Sequence, residues 1–270
     1  MPDTQPVRPS AFPSLDAYAP DEIARRIETI GVAKARLSAI STLMLGLLAG
    51  AFISFGAMLY TLVMTGVDMA YGPERLLGGV AFSLGLVLVV VAGAELFTGN
   101  NLVVMAWASR RVTTAQMLRN WLLVYLANFV GALGAALLVH WSGVLEANGG
   151  ASAHVAVAIG RAKVALDPGQ AFVRGVLCNA LVCLAVWLCM AAHDVASKVL
   201  SIVLPISGFV ALGFEHSIAN MYFIPAAMLA GAGDVTVAGL VGNLLPVTAG
   251  NILGGSGFVA LVYWIIYRRG

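Results

Sequence analysis

Two short polar stretches carry the residues of this chain that can do chemistry. One reads Gly93-Ala94-Glu95-Leu96-Phe97-Thr98-Gly99-Asn100-Asn101, the other Gly213-Phe214-Glu215-His216-Ser217-Ile218-Ala219-Asn220, and each sits inside a long apolar run. A carboxylate at membrane depth costs about 2.5–3.5 kcal/mol on insertion scales, so both glutamates want a partner or a water-filled cavity. Glycine and polar residues at that depth predict an interrupted helix, tolerated only where the loose backbone is buried in protein or lines a pathway. Each interruption also leaves a helix N-terminus, whose free N–H groups and positive dipole end favour anions. His216 adds a titratable imidazole that can hand a proton to a weak-acid anion facing a low-dielectric constriction. Glu95 and Glu215 would repel such an anion, so they are expected to accept hydrogen bonds from the interrupted backbone instead. Thr98 offers a hydroxyl and Asn179, in the next apolar run but one, an amide; either residue type serves equally as a substrate contact or a helix–helix contact. Lys163, beside Arg161, is either a cation that concentrates anions at a vestibule or an ordinary solvated charge.

The elements that must position these groups are membrane spans. Of 270 residues, 60% are hydrophobic and 10% charged, with a mean hydropathy of +0.91, whereas a soluble domain carries about 25% charged residues. A soluble enzyme is thereby excluded. Apolar runs lie near 38–64, 77–108, 114–140, 170–192, 199–232 and 238–267, which makes six passages. Alternating their ends places eleven basic residues, from Arg8 to Arg269, on the side of both termini and four (Arg75, Arg161, Lys163, Arg174) on the other. That asymmetry predicts cytoplasmic termini and a multi-pass protein of the cell (inner) membrane. The first 37 residues hold five basic and five acidic side chains and resemble no cleavable signal. Within them Ile23, Ile27, Ile30 and Leu37 recur at helical spacing opposite Arg25, Arg26, Glu28 and Arg36, the pattern of an amphipathic helix anchored at the membrane surface. The expected organisation is thus a 1–37 N-terminal segment and a 38–270 channel domain. Cys178, Cys183 and Cys189 lack metal-ligand or redox spacing, the basic residues form no block suited to nucleic acid, and neither a metal nor a cofactor is expected.

The two polar stretches match each other. Glu95 and Asn100 recur as Glu215 and Asn220 at an offset of 120, and Asn120, Asn128, Gly131, Gly134 and Trp141 recur as Asn243, Asn251, Gly254, Gly257 and Trp264 at an offset of 123. Five pairs in one register exceed coincidence. Each half holds three passages, an odd number, so the halves (about 38–141 and 170–267) cross the membrane in opposite senses. Inverted repeats with corresponding helix interruptions place a substrate path where the interruptions meet.

The segments Gly93–Asn100, Gly213–Met221 and Asn243–Gly255 resemble the signature segments of the formate/nitrite transporter family, and the likeness runs from about residue 21 to 267. It implies an all-α integral membrane protein with an aquaporin-like fold of six helices, the second and fifth broken, assembled as a homopentamer with one pore per protomer. It further implies Thr98 and His216 as the central selectivity pair with Asn179 beside them, and Lys163 as the vestibule lysine. One apolar constriction would comprise Leu86, Phe97 and Phe209, the other Phe82 and Val182, while Glu95, Asn100, Glu215, Asn220 and Asn251 would brace the loops. The substrate class is then a small monovalent anion, formate first and nitrite or hydrosulfide otherwise, with protons as partners. An aquaporin-type neutral-solute channel is the competing class; its paired Asn-Pro-Ala caps do not occur in these stretches.

Overall fold

The computed structural model describes residues 16–269; Arg8 and the rest of the first 15 residues, together with Gly270, lie outside the described residues. Besides a short 3-10 turn at Val144–Glu146, ten helical elements follow one another among the described residues: α1 (Pro20–Arg36), α2 (Ala39–Val63), α3 (Tyr71–Ala92), α4 (residues 97–108), α5 (Thr114–Trp141), α6 (Ala151–Val164), α7 (Pro168–Ala191), α8 (Val195–Ala211), α9 (Ser217–Leu229) and α10 (Val237–Tyr267). Among the described residues α2, α3, α5, α7 and α10 are each long and apolar enough to cross a membrane. The two remaining half-spans, α8 and α9, together complete a sixth passage, and α3 with α4 form the other broken one.

Both breaks are made in the same way. Helix α3 ends at Gly93, φ +83°, and α8 runs out at Gly213, φ +71°. This left-handed conformation suits glycine because no Cβ collides with the carbonyl. A Cβ at Gly93 would meet nothing within 4 Å, so conformation rather than crowding selects the residue. Three residues then run outside any helix before α4 and α9 begin.

The second half repeats the first element by element, α1–α5 against α6–α10. Ser38 caps α2 and Asp167 caps α7, 129 positions apart, and Thr113 and Thr236 cap α5 and α10 at the familiar 123. Close packing repeats too: a Cβ on Gly131 would strike the backbone of Leu47, and one on Gly254 that of Val176. These glycines let α2 approach α5, and α7 approach α10, at backbone distance.

Three features go beyond the sequence reading. The segment before the fourth passage is a helix, α6, whose small residues conceal its pattern; Gly160 lies against Ala227 of α9 with no room for a Cβ. In helix α1 two residues, Ile30 and Glu28, depart from the faces expected of them. The helix buries Ile23, Ala24, Ile27, Gly31 and Ala35 against α4 and the end of α10, leaves Ile30 exposed, and buries Glu28 at 1% exposure between Arg111 (3.2 Å) and Arg268 (2.7 Å). Periodicity alone cannot separate a groove in protein from a membrane surface, and a carboxylate with two guanidinium partners can enter the buried face. Finally, α10 widens into π-helix over Leu253–Leu261, where its counterpart in α5 stays regular. The widening falls at Gly254-Gly255-Ser256, which pack against α7 and Asn101.

Three backbone groups at each break depend on one side chain. Asn128 donates to the Glu95 carbonyl (2.9 Å) and the Gly46 carbonyl (2.7 Å) and accepts from the Phe97 N–H (2.9 Å). Asn251 does the same for Glu215 (3.0 Å), Gly175 (2.8 Å) and Ser217 (2.9 Å). Replacing Asn128 by Leu strands buried polar groups worth about 1–3 kcal/mol each. The expected result in detergent is a melting temperature lower by about 10 °C, from roughly 3 kcal/mol at the slope usual for a chain of this size, and Asn251→Leu should match it; a melt unchanged in either variant would contradict this account.

Candidate transport pathway

Each interruption rests in a cradle of four side chains. On the first, Glu95 accepts from Lys34 and from Asn100 Nδ2 (2.6 Å), Asn100 Nδ2 also reaches Asn120 Oδ1 (3.0 Å), and Asn120 Nδ2 donates to the Lys34 carbonyl (3.1 Å). On the second, Glu215 accepts from Lys163 (3.1 Å to each oxygen) and Asn220 Nδ2 (2.6 Å), Asn220 reaches Asn243 Oδ1 (2.7 Å), and Asn243 donates to the Lys163 carbonyl (2.9 Å). The glutamate side chains therefore meet lysine and asparagine side chains; the interrupted backbone is served by Asn128 and Asn251. Lys34, on α1, is the symmetry counterpart of Lys163, on α6. Sequence reasoning passed over it, although Lys34 precedes Gly46 by the same 12 residues that separate Lys163 from Gly175.

Two cavities approach the centre from opposite ends. The near cavity, on the side of the described chain ends, has a volume of about 330 Å³ and is lined by Lys34, Glu95, Leu86, Leu96 and Gly99 among others. The far cavity, about 200 Å³, is bounded by Lys163, Glu215, Phe82, Phe209, His216 and Phe223. Thr98, whose neighbour Gly99 lines the near cavity, bonds through Oγ1 to His216 Nε2 at 3.0 Å, and His216 lines the far cavity, so this contact lies in the septum between the two. Both residues are buried, at 0% and 3% exposure.

The imidazole is oriented from its other nitrogen. The Ala219 N–H donates to His216 Nδ1 (3.1 Å), making His216 the N-cap of α9. A nitrogen that accepts carries no proton, so the neutral ring has its hydrogen on Nε2 and donates to Thr98 Oγ1. That leaves the Thr98 hydroxyl hydrogen available to another acceptor. Phe209 lies parallel to the imidazole, centroids 6.0 Å apart. The helix N-termini are less open than the interruptions suggest, because the Phe97, Ser217 and Ala219 N–H groups already have side-chain acceptors.

The apolar residues group differently from the sequence expectation. Phe82 and Phe209 make an edge contact (5.8 Å) and face the far cavity together with Phe223, which sequence reasoning missed. Leu86 faces the near cavity. Phe97 packs against Trp121 and Tyr125 of α5, and Val182 is buried at 1% exposure; neither borders either cavity. Asn179 likewise stands behind the path. Its Nδ2 donates to the Thr98 carbonyl (3.3 Å), Asn101 Oδ1 (2.7 Å) and the Asn251 carbonyl (2.6 Å), which ties α4 to α10.

Comparison with known proteins decides the family. The description "Formate/nitrite transporter" matches residues 21–265. The chain belongs to the formate/nitrite transporter family. It is 41% identical to the uncharacterized transporter YrhG of Bacillus subtilis over 253 residues, covering 93% of this chain and 94% of that one. It is 40% identical to the formate channel FocA of Escherichia coli K12 over 275 residues, covering 94% and 96%. A solved structure described as a pentameric formate channel with formate bound aligns with a TM-score of 0.78 at 38% identity, over 85% of this chain and 97% of that one. As a member of the formate/nitrite transporter family, the protein is a membrane transporter or channel and not an enzyme.

The cradles yield a stability test for this family member. Lys34 is 26% and Glu95 7% exposed at the side chain, against 14% and 7% for Lys163 and Glu215. Removing one partner of a largely buried pair leaves an unanswered charge that costs about 3–5 kcal/mol, somewhat less where water reaches it. Lys34→Met should destabilise by about 2–4 kcal/mol, and adding Glu95→Gln should recover most of the loss, read by thermal unfolding in detergent. A double variant as unstable as the single one would deny the pairing its role.

Proposed function

We propose that the protein conducts the anion of a small weak acid, formate before others, in a proton-linked passage through the septum at Thr98 and His216. The observation that carries this is the buried Thr98–His216 contact between two cavities that each hold a compensated lysine–glutamate pair. Once their mutual bond opens to admit it, His216 Nε2–H and the Thr98 hydroxyl offer two donors to a carboxylate, while the flanking Phe82, Phe209 and Leu86 favour a neutral or tightly hydrogen-bonded species over a free ion. The relatives named as formate channels support formate as the first substrate; nitrite and hydrosulfide are the alternatives.

The Ala219 bond constrains how His216 can take part in proton movement. A neutral imidazole that gave up its Nε2 proton would become an imidazolate, so net donation needs the imidazolium first. Its second N–H forms at Nδ1, which must release the Ala219 N–H and turn a proton toward the N-terminus of α9. Proton linkage at His216 therefore costs the helix its cap, and the capped, neutral ring is the resting donor.

By charge asymmetry the side of the described chain ends is cytoplasmic and the membrane the cell (inner) membrane, with α1 at its surface. The outward-facing row Leu118, Leu122, Leu126 and Val130 on α5 is more than half exposed, and a homopentamer would cover part of such a surface. Native mass measurement in mild detergent should read five copies; a monomer would remove the assembly from this reading.

Flux into proteoliposomes is the deciding experiment, comparing formate, nitrite and hydrosulfide over pH 5 to 8 with internal pH recorded. Formate flux accompanied by proton movement is expected. His216→Asn keeps an N-cap acceptor and so should fold normally, while His216→Phe removes both cap and donor. Both variants should lose the pH dependence of flux, and wild-type pH dependence in the folded Asn variant would remove His216 from the mechanism.

A further inference from the structure

The two mouths differ where their cradles agree. At the far mouth, Arg75 of α3 donates to the Val210 carbonyl (2.8 Å), the Ala211 carbonyl (3.4 Å) and the Tyr60 hydroxyl (2.8 Å), and Arg174 of α7 approaches the Gly213 carbonyl (3.5 Å). A Cβ at Gly213 would lie 3.8 Å from Arg75 Nη2 and 4.0 Å from Arg174 Nη1, so both guanidinium groups converge on this residue at the rim of the far cavity. All these partners are neutral. Among the described residues neither arginine belongs to an ion pair, nor does Glu74, the neighbour of Arg75 in the chain. Lys163 is in the opposite condition, answered by Glu215 at 3.1 Å. The uncompensated positive charge of the far mouth thus resides on the arginines and not on the lysine.

Among the described residues no arginine lines the near cavity, although Arg26 donates to the carbonyl of Met190 at its edge (3.4 Å). The carbonyl of Arg174 accepts the Glu215 N–H at 3.2 Å, and in the other half the carbonyl that accepts the Glu95 N–H at 3.2 Å is that of Leu45. At the offset of 120 that relates α3 to α8, Arg75 corresponds to Val195. Both symmetry positions are apolar, Leu45 lines the near cavity, and Lys34 there is answered by Glu95. The repeat is conserved in its cradles and broken in its charge.

We propose that Arg75 and Arg174 form an anion-capture site at the far mouth, specific for small carboxylates and other monovalent oxyanions, and that the near mouth lacks an equivalent. A guanidinium has five N–H donors, so the three bonds of Arg75 and the one of Arg174 leave two and four donors and the full charge for a carboxylate, which a guanidinium matches in a bidentate fork. The far cavity focuses that field, and transport becomes sided. This inference rests on the anion-transport reading above.

Formate influx should be measured from each face, in right-side-out and inside-out membrane vesicles carrying the full chain. In Arg75→Gln/Arg174→Gln the apparent KM from the far face should rise about two- to tenfold at roughly 10 mM ionic strength and return toward the parent value at about 1 M, where charges are screened within a few ångströms. The KM from the near face should stay put. Arg75→Lys/Arg174→Lys keeps the charge and should remain close to the parent, whereas equal damage by Lys and Gln would reduce the pair to braces for the end of α8. Leu45→Arg supplies the reciprocal case, lowering the near-face KM at low salt, and it stands if the Gln variant fails to fold. Formate flux with a KM insensitive to salt and equal from both faces in the parent would overturn the proposal. Absence of any formate flux in the parent would instead count against the transport reading on which it rests.

Discussion

The structure depends on meeting backbone hydrogen bonds at membrane depth without a continuous helix. Each break frees N–H and C=O groups that lipid cannot satisfy, at several kcal/mol apiece. One asparagine per break, Asn128 or Asn251, answers two of them with a single planar amide. Because each amide also grips the carbonyl of a glycine in the neighbouring span, Gly46 or Gly175, the backbone of that span must come close. The glycines at the α2–α5 and α7–α10 contacts are the steric counterpart of that demand. The cradle of lysine, glutamate and two asparagines is then built outward from a backbone already fixed.

Symmetry ends at the septum. His216 corresponds to Leu96 and Thr98 to Ile218 at the offset of 120, so the two halves contribute different residues to the contact that lies between the cavities. A duplicated scaffold tolerates this because the cradles hold the two loops independently of what the loops present. Compensation of charge follows the same division. The lysine–glutamate pairs are duplicated and electrically near neutral, while the two arginines beside Gly213, one from each half, gather at the far mouth.

Much of this was legible in the residues and some was not, for physical reasons. Six passages, the two breaks and the inverted repeat could be read because intramembrane glutamate, asparagine and glycine are costly and therefore sparse, so their spacing stands out. Lys34 escaped because the offset between halves changes from 129 to 120 and 123 as connections shorten, and a lysine in a polar helix is unremarkable without its partner. Helix α6 escaped because alanine and glycine carry little periodic signal, although they allow its tight contact with α9. The grouping of apolar residues around the path was beyond sequence, since Phe82, Phe97, Phe209 and Val182 are all equally buried and only their neighbours distinguish them.

Asn179 reaches from the second half to the Thr98 carbonyl and to Asn101 in the first, and also to the Asn251 carbonyl near the end of the chain. During synthesis the first five elements therefore enter the membrane before the amide that holds their broken segment exists. Until α7 arrives, the Thr98 loop lacks that partner, and until α10 arrives the His216 loop lacks Asn251. The centre of the molecule is in this sense the last part to be completed, and a chain truncated anywhere before residue 251 leaves the ribosome with an unfinished pore.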